Sequence, residues 1–90
     1  MVTLKDIESA HERIRPFIHR TPVLTNSSID NLIGAKLFFK CENFQKAGSF
    51  KIRGASNAVE LLSDEEFKRG VATTSSGNHG AALSMAVTRR

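Results

Sequence analysis

Two glycines, Gly48 and Gly54, bracket the segment that most restricts how this chain can fold. Between them, Ser49 can cap a helix, which places Lys51 in the first helical turn. Glycine lets another group approach the backbone closely, so this helix start is open to a ligand. The apolar neighbours of Lys51 and the positive end of the helix dipole both disfavour an ammonium. The pattern predicts a reactive amine suited to Schiff-base chemistry, with an ordinary exposed lysine as the alternative.

A second segment of small polar residues, Ser75 to Gly80, reads Ser-Ser-Gly-Asn-His-Gly and is typical of a turn between a strand and a helix. Backbone N–H groups at a helix start bind carboxylate or phosphate, and serine hydroxyls add donors. The alternative is a loop with an ordinary cap. The spacing fits neither the dinucleotide-binding fingerprint nor the P-loop. We interpret the segment as an anion site in which Asn78 can donate to a phenolate-type oxygen and His79 is a hydrogen-bonded structural residue.

Helical and strand-like patterns alternate along the chain, which predicts an α/β fold with a mostly parallel sheet. An extended segment is predicted over residues 21–24. Strands are predicted over 36–41 and 71–74, and the first of these is expected to be covered on both faces.

Capping residues indicate where the helices begin. Thr3 and Ser63 each precede an acidic residue three positions on, as in a capping box, and Ser27 or Ser28 is the expected cap of a short helix that Gly34 closes. Apolar spacing predicts the buried faces of the three longest helices. These faces comprise Leu4, Ile7, Ala10, His11 and Ile14; Phe50, Gly54, Asn57, Ala58, Leu61 and Leu62; and Ala81, Ala82, Leu83, Met85, Ala86 and Val87.

The net charge of +4 would suit a nucleic-acid partner, but the basic residues are scattered and Arg89-Arg90 is their only adjacent pair. The chain has no Trp or Tyr to stack on bases. We therefore expect no nucleic-acid partner. A solvated surface or anionic small ligands account better for the excess charge.

No apolar run approaches the roughly 20 residues that span a bilayer, and the N-terminus has no signal-peptide pattern. The single cysteine, Cys41, lies in an apolar run and is expected to be a buried, inert thiol. Neither His11 nor His19 has a partner at metal-ligand spacing, so no metal site is predicted. These features predict a cytoplasmic protein with no membrane partner.

Ser-Phe-Lys-Ile-Arg-Gly-Ala at 49–55, followed by Ser-Ser-Gly-Asn-His-Gly, resembles the pyridoxal-phosphate enzymes of the tryptophan synthase β-like fold type. Within them it most resembles the threonine/serine dehydratase and serine racemase branch, which residues 21–24 and 38–46 also fit. The lead Gln-Lys-Ala-Gly-Ser at 45–49 differs from the Asn-Pro-Thr-Gly-Ser-type lead of cysteine synthases. The resemblance covers essentially the whole chain. It implies that residues 1–90 form a single N-terminal segment of a three-layer α/β fold, which stops within a helix.

The resemblance implies a role for each residue of the two segments. Lys51 would hold pyridoxal phosphate as a Schiff base and then act as the base on the substrate α-proton, and Phe50 would pack beside the cofactor. Asn78 would bind the cofactor's ring oxygen. The turn that receives the substrate carboxylate would comprise Ser75, Ser76, Gly77, Asn78 and His79.

The implied reaction is α,β-elimination, which converts a small β-hydroxy amino acid, threonine or serine, to a 2-oxo acid and ammonia. Ser76 leaves serine racemisation open, because the racemases carry serine there as a second base where many pure dehydratases carry alanine. A 3-hydroxyaspartate dehydratase is a further alternative. A non-catalytic remnant or interaction module is an alternative of another class.

The glycine-rich loop that binds the cofactor phosphate in this family would lie beyond residue 90, so residues 1–90 alone are expected to be a poor enzyme. Because relatives are commonly dimers or tetramers, a homo-oligomer is expected for the full-length form.

Overall fold

The computed structural model describes all 90 residues, as five α-helices, three 3₁₀ turns and a two-stranded sheet. The helices are α1 (Leu4–Ile14), α2 (Ser27–Ile33), α3 (Lys51–Leu61), α4 (Asp64–Lys68) and α5 (Asn78–Arg89). The strands are β1 (Val23–Leu24) and β2 (Phe39–Lys40), and the 3₁₀ turns are Arg15–Phe17, Glu42–Phe44 and Lys46–Gly48. None of the helices combines the length and the apolar character needed to cross a membrane.

Side-chain caps set the starts of α1, α2 and α4. The prediction that Ser49 caps α3 is wrong, because Phe50 is the N-cap and no side chain caps this helix. The capping boxes at Thr3 and Ser63 are both present, so these predictions are confirmed. The prediction of a serine cap for α2 is wrong. Asn26 is the cap, and its side-chain oxygen accepts a hydrogen bond from the N–H of Ile29 at 3.0 Å. Gly34 closes α2 in the left-handed region at φ 76°, as predicted.

The sheet differs from the parallel arrangement predicted. β1 and β2 pair antiparallel, with Val23 opposite Lys40 and Leu24 opposite Phe39. Phe39 is 42% exposed, so the prediction of a strand covered on both faces is wrong for this chain. Residues 71–74, predicted as a second strand, form no strand because no neighbouring strand supplies ladder hydrogen bonds.

The core lies between α3 and α5, where Ile52, Ala55 and Val59 pack against Ala82 and Ala86. The alanines let the two helices approach closely. Of the face predicted for α5, Ala82 and Ala86 are confirmed as buried, whereas Ala81 and Met85 are exposed and the prediction is wrong for them.

The face predicted for α3 is wrong, because positions 52, 55, 56 and 59 are buried while Phe50 and Leu61 are about 60% exposed. The prediction placed the large apolar residues Phe50 and Leu61 on the buried face, but the face that packs against α5 is the one that carries Ile52 and Val59. For α1 the prediction is largely wrong too, since Ile14 alone is buried and Leu4 and Ile7 are exposed.

Helices α3 and α5 run parallel. At their C-terminal ends, the Arg89 guanidinium pairs with Glu60 at 2.6 Å, and Arg90 donates to the carbonyl of Val59 at 2.5 Å. The 11-residue α3 is about 17 Å long. A fully extended seven-residue segment such as 71–77 reaches about 23 Å, so the connection before α5 is long enough to return along α3. The N-terminal ends of α3 and α5 therefore lie at the same end of the pair.

Candidate active site

Lys51 is the first residue of α3 and is exposed. Its side-chain nitrogen lies 5.3 Å from the centroid of the Phe50 ring and forms no ion pair or hydrogen bond with the protein. The partly desolvated setting predicted for this amine is wrong for this chain, because Phe50 is itself exposed and Ile52 turns into the core. In the structure, the Lys51 amine is accessible and unpaired, and the opposite face of its helix packs in the core.

Two residues in the left-handed backbone conformation precede α3. Ala47 has φ 60° and Gly48 has φ 72°, so two successive residues adopt a conformation that an alanine rarely takes. Such strain persists only where the surroundings hold it, and it concentrates at functional sites. Here Ala47 packs against the core between α3 and α5, which fixes the direction from which the chain enters α3.

A charged network that sequence reasoning missed anchors the first turn of α3. The Arg53 guanidinium donates two hydrogen bonds to the Glu42 carboxylate, at 2.7 and 2.8 Å, and the Thr21 hydroxyl donates a third at 2.7 Å. The hydrogen bonds from Arg53 lower the pKa of Glu42 to about 2, and the same pairing raises the pKa of Arg53. Because Arg53 lies two residues after Lys51, this network positions the lysine.

The turn before α5 is organised by Ser75. Its hydroxyl oxygen accepts hydrogen bonds from the N–H groups of Gly77 and Gly80, at 3.2 and 3.0 Å. A Cβ at Gly80 would lie 3.4 Å from the Cβ of Ser75, so the small residue permits this close approach. Ser75 thus acts as a cap within the turn.

The start of α5 leaves several donors free. The backbone N–H groups of Asn78 and His79 have no acceptor in the chain, and the side chains of Ser76 and Asn78 form no hydrogen bond. Helix N-termini favour anions because free N–H groups and the helix dipole point at them. The prediction of a hydrogen-bonded structural histidine is wrong, since the exposed His79 side chain has no hydrogen-bond partner.

The structure therefore brings the two predicted segments to one end of the parallel pair, Lys51 and Phe50 at the start of α3 and residues 75–79 at the start of α5. An accessible amine and a set of free anion donors fit a cofactor that carries an aldehyde and a substrate that carries a carboxylate. No three His, Cys, Asp or Glu side chains are grouped so as to hold a metal.

The Glu42–Arg53 pair left no recognisable signal in the sequence. Its members are 11 residues apart and lie in different elements, so no helical or strand spacing relates them.

Comparison with known proteins gives a consistent result. Residues 14–90 match the family described as pyridoxal-phosphate dependent enzyme. The chain is 65% identical over 85 residues to a serine racemase of Dictyostelium discoideum, covering 94% of this chain and 26% of the relative. It is 56% identical over 88 residues to a beta-hydroxyaspartate dehydratase of Paracoccus denitrificans, covering 98% and 28%.

Among solved structures, maize serine racemase superposes with a TM-score of 0.91 at 56% identity, over 96% of this chain and 27% of that one. The chain thus spans about a quarter of the length of the curated relatives it matches.

Proposed function

The chain belongs to the pyridoxal-phosphate dependent enzymes, and we propose that it supplies the lysine-bearing part of an enzyme that acts on small β-hydroxy amino acids, serine first among them. The observation that carries this proposal is the parallel packing of α3 and α5, whose starts carry Lys51 and the free donors at 76–79. The tryptophan synthase β-like fold type predicted from the sequence is confirmed by the structural likeness.

Lys51, Asn78 and His79 would have distinct roles in this proposed site. When bound, pyridoxal phosphate supplies the electron sink that allows a proton to leave the α-carbon of an amino acid. Lys51 Nζ would hold the cofactor through its free amine and would also be the base that takes the α-proton. The Asn78 side chain would donate to the cofactor's ring oxygen, and the free N–H groups of Asn78 and His79 would orient the substrate carboxylate.

Elimination needs a single base, which Lys51 provides. Loss of the α-proton and of the β-hydroxyl from serine, followed by hydrolysis, gives a 2-oxo acid and ammonia. The similarity to a beta-hydroxyaspartate dehydratase supports this activity. It is the reaction to which the sequence resemblance gave first place.

Racemisation needs a second base on the opposite face of the α-carbon, and Ser76 is the candidate. Its hydroxyl has no partner in the chain, whereas the neighbouring Ser75 hydroxyl is occupied by two N–H groups. The 65% identity to a serine racemase favours the same assignment. Serine racemisation is therefore the second candidate activity.

Covalent capture tests the cofactor role of Lys51 directly. The protein is incubated with pyridoxal phosphate, reduced with borohydride and mapped by peptide mass spectrometry, with Lys51→Ala and Lys5→Ala as a matched pair. We expect selective labelling of Lys51, unchanged in Lys5→Ala and lost in Lys51→Ala. Labelling spread over many lysines and indifferent to Lys51→Ala would mean that residues 1–90 do not form the cofactor site by themselves. The same result in a chimera that supplies the rest of the fold would contradict the proposal and favour a non-catalytic interaction module.

A chimera tests the activities. Residues 1–90 replace the matching quarter of the Dictyostelium serine racemase, and both serine racemisation and 2-oxo acid release are measured. We expect Lys51→Ala to abolish both activities and Ser76→Ala to lower racemisation by at least about tenfold while elimination persists. Equal loss of both activities in Ser76→Ala would show that Ser76 is not a dedicated second base.

A further inference from the structure

One buried glutamine, Gln45, holds the chain just before the turn that leads into α3. It is 4% exposed, and its side-chain oxygen accepts hydrogen bonds from the N–H groups of His19 and Lys46, at 2.8 and 2.9 Å. Its side-chain nitrogen donates to the carbonyl of His19 at 2.7 Å. Because both ends of this buried amide are paired, its orientation is fixed, and it ties the turn to the segment that follows α1.

The backbone of Gln45 holds the same turn. Its carbonyl accepts a hydrogen bond from the N–H of Gly48 at 2.8 Å, so Gln45 binds both ends of the 3₁₀ turn Lys46–Gly48. Between those ends, Ala47 is in the left-handed conformation, which an alanine keeps only where its surroundings enforce it. Gln45 supplies that restraint, because it accepts from the N–H groups on either side of Ala47.

The position of Lys51 depends on this turn. No side chain caps α3, and the Lys51 N–H has only a long hydrogen bond, 3.4 Å, to the Ser49 hydroxyl. The turn, in contrast, lies against both α3 and α5, and Ala47 packs against the core between them. We propose that Gln45 is a positioning residue for Lys51 and acts through this turn to hold the amine at the end of the molecule where α5 begins. This inference rests on the proposed function, in which Lys51 is the reactive amine.

A purely structural role and a positioning role for Gln45 have different consequences. A structural glutamine would contribute to the free energy of unfolding alone. A positioning residue also changes the reactivity of Lys51 in molecules that remain folded. The difference is measurable, because a displacement of about 1 Å can lower the rate of a reaction by about 100-fold.

Borohydride capture of pyridoxal phosphate, in the chimera with the Dictyostelium serine racemase, separates these roles. Gln45→Met removes the side-chain hydrogen bonds and keeps a similar volume. Asn57→Leu is the matched control, because it removes a different tether of α3, the hydrogen bond that Arg13 donates to Asn57. We expect the rate of Lys51 labelling to fall by at least about tenfold in Gln45→Met and by less than about twofold in Asn57→Leu.

Two further readouts follow from the same pair of variants. Hydrogen exchange in the 90-residue chain needs no cofactor, and the N–H groups of Lys46 and Gly48 should lose protection in Gln45→Met but keep it in Asn57→Leu. In the chimera, Gln45→Met should lower kcat for serine elimination and leave KM within about twofold, because the buried Gln45 does not reach the substrate.

A second pair of variants tests the turn without disturbing the core. Gly48 and Gly70 have φ 72° and 83°, and no atom lies within 4 Å of a Cβ added at either position. Alanine therefore imposes similar backbone strain at both, with no steric clash. Gly48→Ala should lower Lys51 labelling as Gln45→Met does, whereas Gly70→Ala, after α4, should leave it unchanged. This pair decides the question if Gln45→Met does not fold.

The outcomes distinguish the two proposals. Labelling that is lost in Lys51→Ala but kept in Gln45→Met and Gly48→Ala would overturn this inference alone. Equal losses in Gln45→Met and Asn57→Leu, or in Gly48→Ala and Gly70→Ala, would also overturn it, because destabilisation would then explain them. Labelling that is indifferent to Lys51→Ala would overturn the proposed function and this inference together.

Discussion

The Arg89 guanidinium binds the Glu60 carboxylate at 2.6 Å and lies 3.5 Å from the centroid of the Phe17 ring. A single side chain at the end of α5 thereby joins α3 and the 3₁₀ turn that follows α1. Because Glu60 and Arg89 lie near the C-terminal ends of their helices, the pair holds α3 and α5 parallel. That arrangement brings the two candidate active-site segments to the same end of the molecule.

Replacing Arg89 tests this contact. Arg89→Met keeps an apolar stem but removes the ion pair and the stacking on Phe17, so we expect a loss of about 1–2 kcal/mol in the free energy of unfolding. Urea denaturation measures it. Arg69→Met is the matched control, because the Arg69 side chain has no hydrogen-bond or ion-pair partner and should change stability by less than about 0.5 kcal/mol. A similar loss in both variants would contradict the assigned role.

The ion pair between Glu42 and Arg53 predicts an acid-sensitive contribution to stability. Hydrogen bonds from Arg53 lower the pKa of Glu42 from 4.5 to about 2, so the ionised carboxylate stabilises the fold. This contribution is fully present above about pH 4.5 and is lost as the pH falls through about 2. We expect Glu42→Gln to destabilise the protein at pH 7 by roughly 1–2 kcal/mol, a value reduced for solvent screening.

Unfolding free energies measured from pH 7 to pH 2 check the sign. The curves of the parent and Glu42→Gln should converge as the pH falls. Glu12→Gln, which breaks an exposed ion pair, should follow the parent throughout. A constant gap between the parent and Glu42→Gln would show that the carboxylate acts through packing and not through its charge.

Two adjacent serines before α5 are expected to behave differently. Ser75→Ala removes the acceptor of two N–H groups, so it should cost about 1 kcal/mol of stability. Ser76→Ala removes a hydroxyl with no partner in the chain and should change stability by less than about 0.5 kcal/mol. Thermal unfolding of the two variants measures the difference. A loss in Ser76→Ala as large as that in Ser75→Ala would assign Ser76 a structural role.

The core contains one unsatisfied hydroxyl, that of Ser56, which is 1% exposed and has no hydrogen-bond partner. Removing a buried, unpaired polar group relieves its desolvation cost, so Ser56→Ala should stabilise the protein by about 1 kcal/mol. Ser84→Ala, at an exposed position of α5, gains helix propensity alone and serves as the control. No excess of Ser56→Ala over Ser84→Ala in denaturant unfolding would mean that the hydroxyl is hydrogen-bonded in solution.

The predictions of helix ends that depend on neighbouring residues are mostly confirmed. The capping boxes at Thr3 and Ser63 and the left-handed stop at Gly34 each depend on residues within a few positions of one another. The family resemblance had the same origin, since it rests on two short contiguous motifs. These features are set by hydrogen bonds and backbone preferences that neighbouring residues decide among themselves.

Many of the predictions of which side chains are buried are wrong. Phe50 and Leu61 are apolar but exposed, whereas Thr21, Gln45 and Ser56 are polar but buried. Hydrophobicity indicates which residues can be buried. The positions of the neighbouring elements decide which face of a helix is buried. Thr21 and Gln45 can be buried because the Thr21 hydroxyl donates to Glu42 and the Gln45 amide pairs with the His19 backbone.

The sequence by itself determined the starts of α1 and α4, the lysine motif and the small polar turn, because each is encoded in one short stretch. The tertiary structure alone decided that α3 and α5 run parallel and that Arg53 binds Glu42. Charges far apart in the sequence interact through space once the packing of the small alanines of α5 against Ile52 and Val59 has fixed where each helix lies. The spacing of residues along the sequence does not indicate where each helix lies in space.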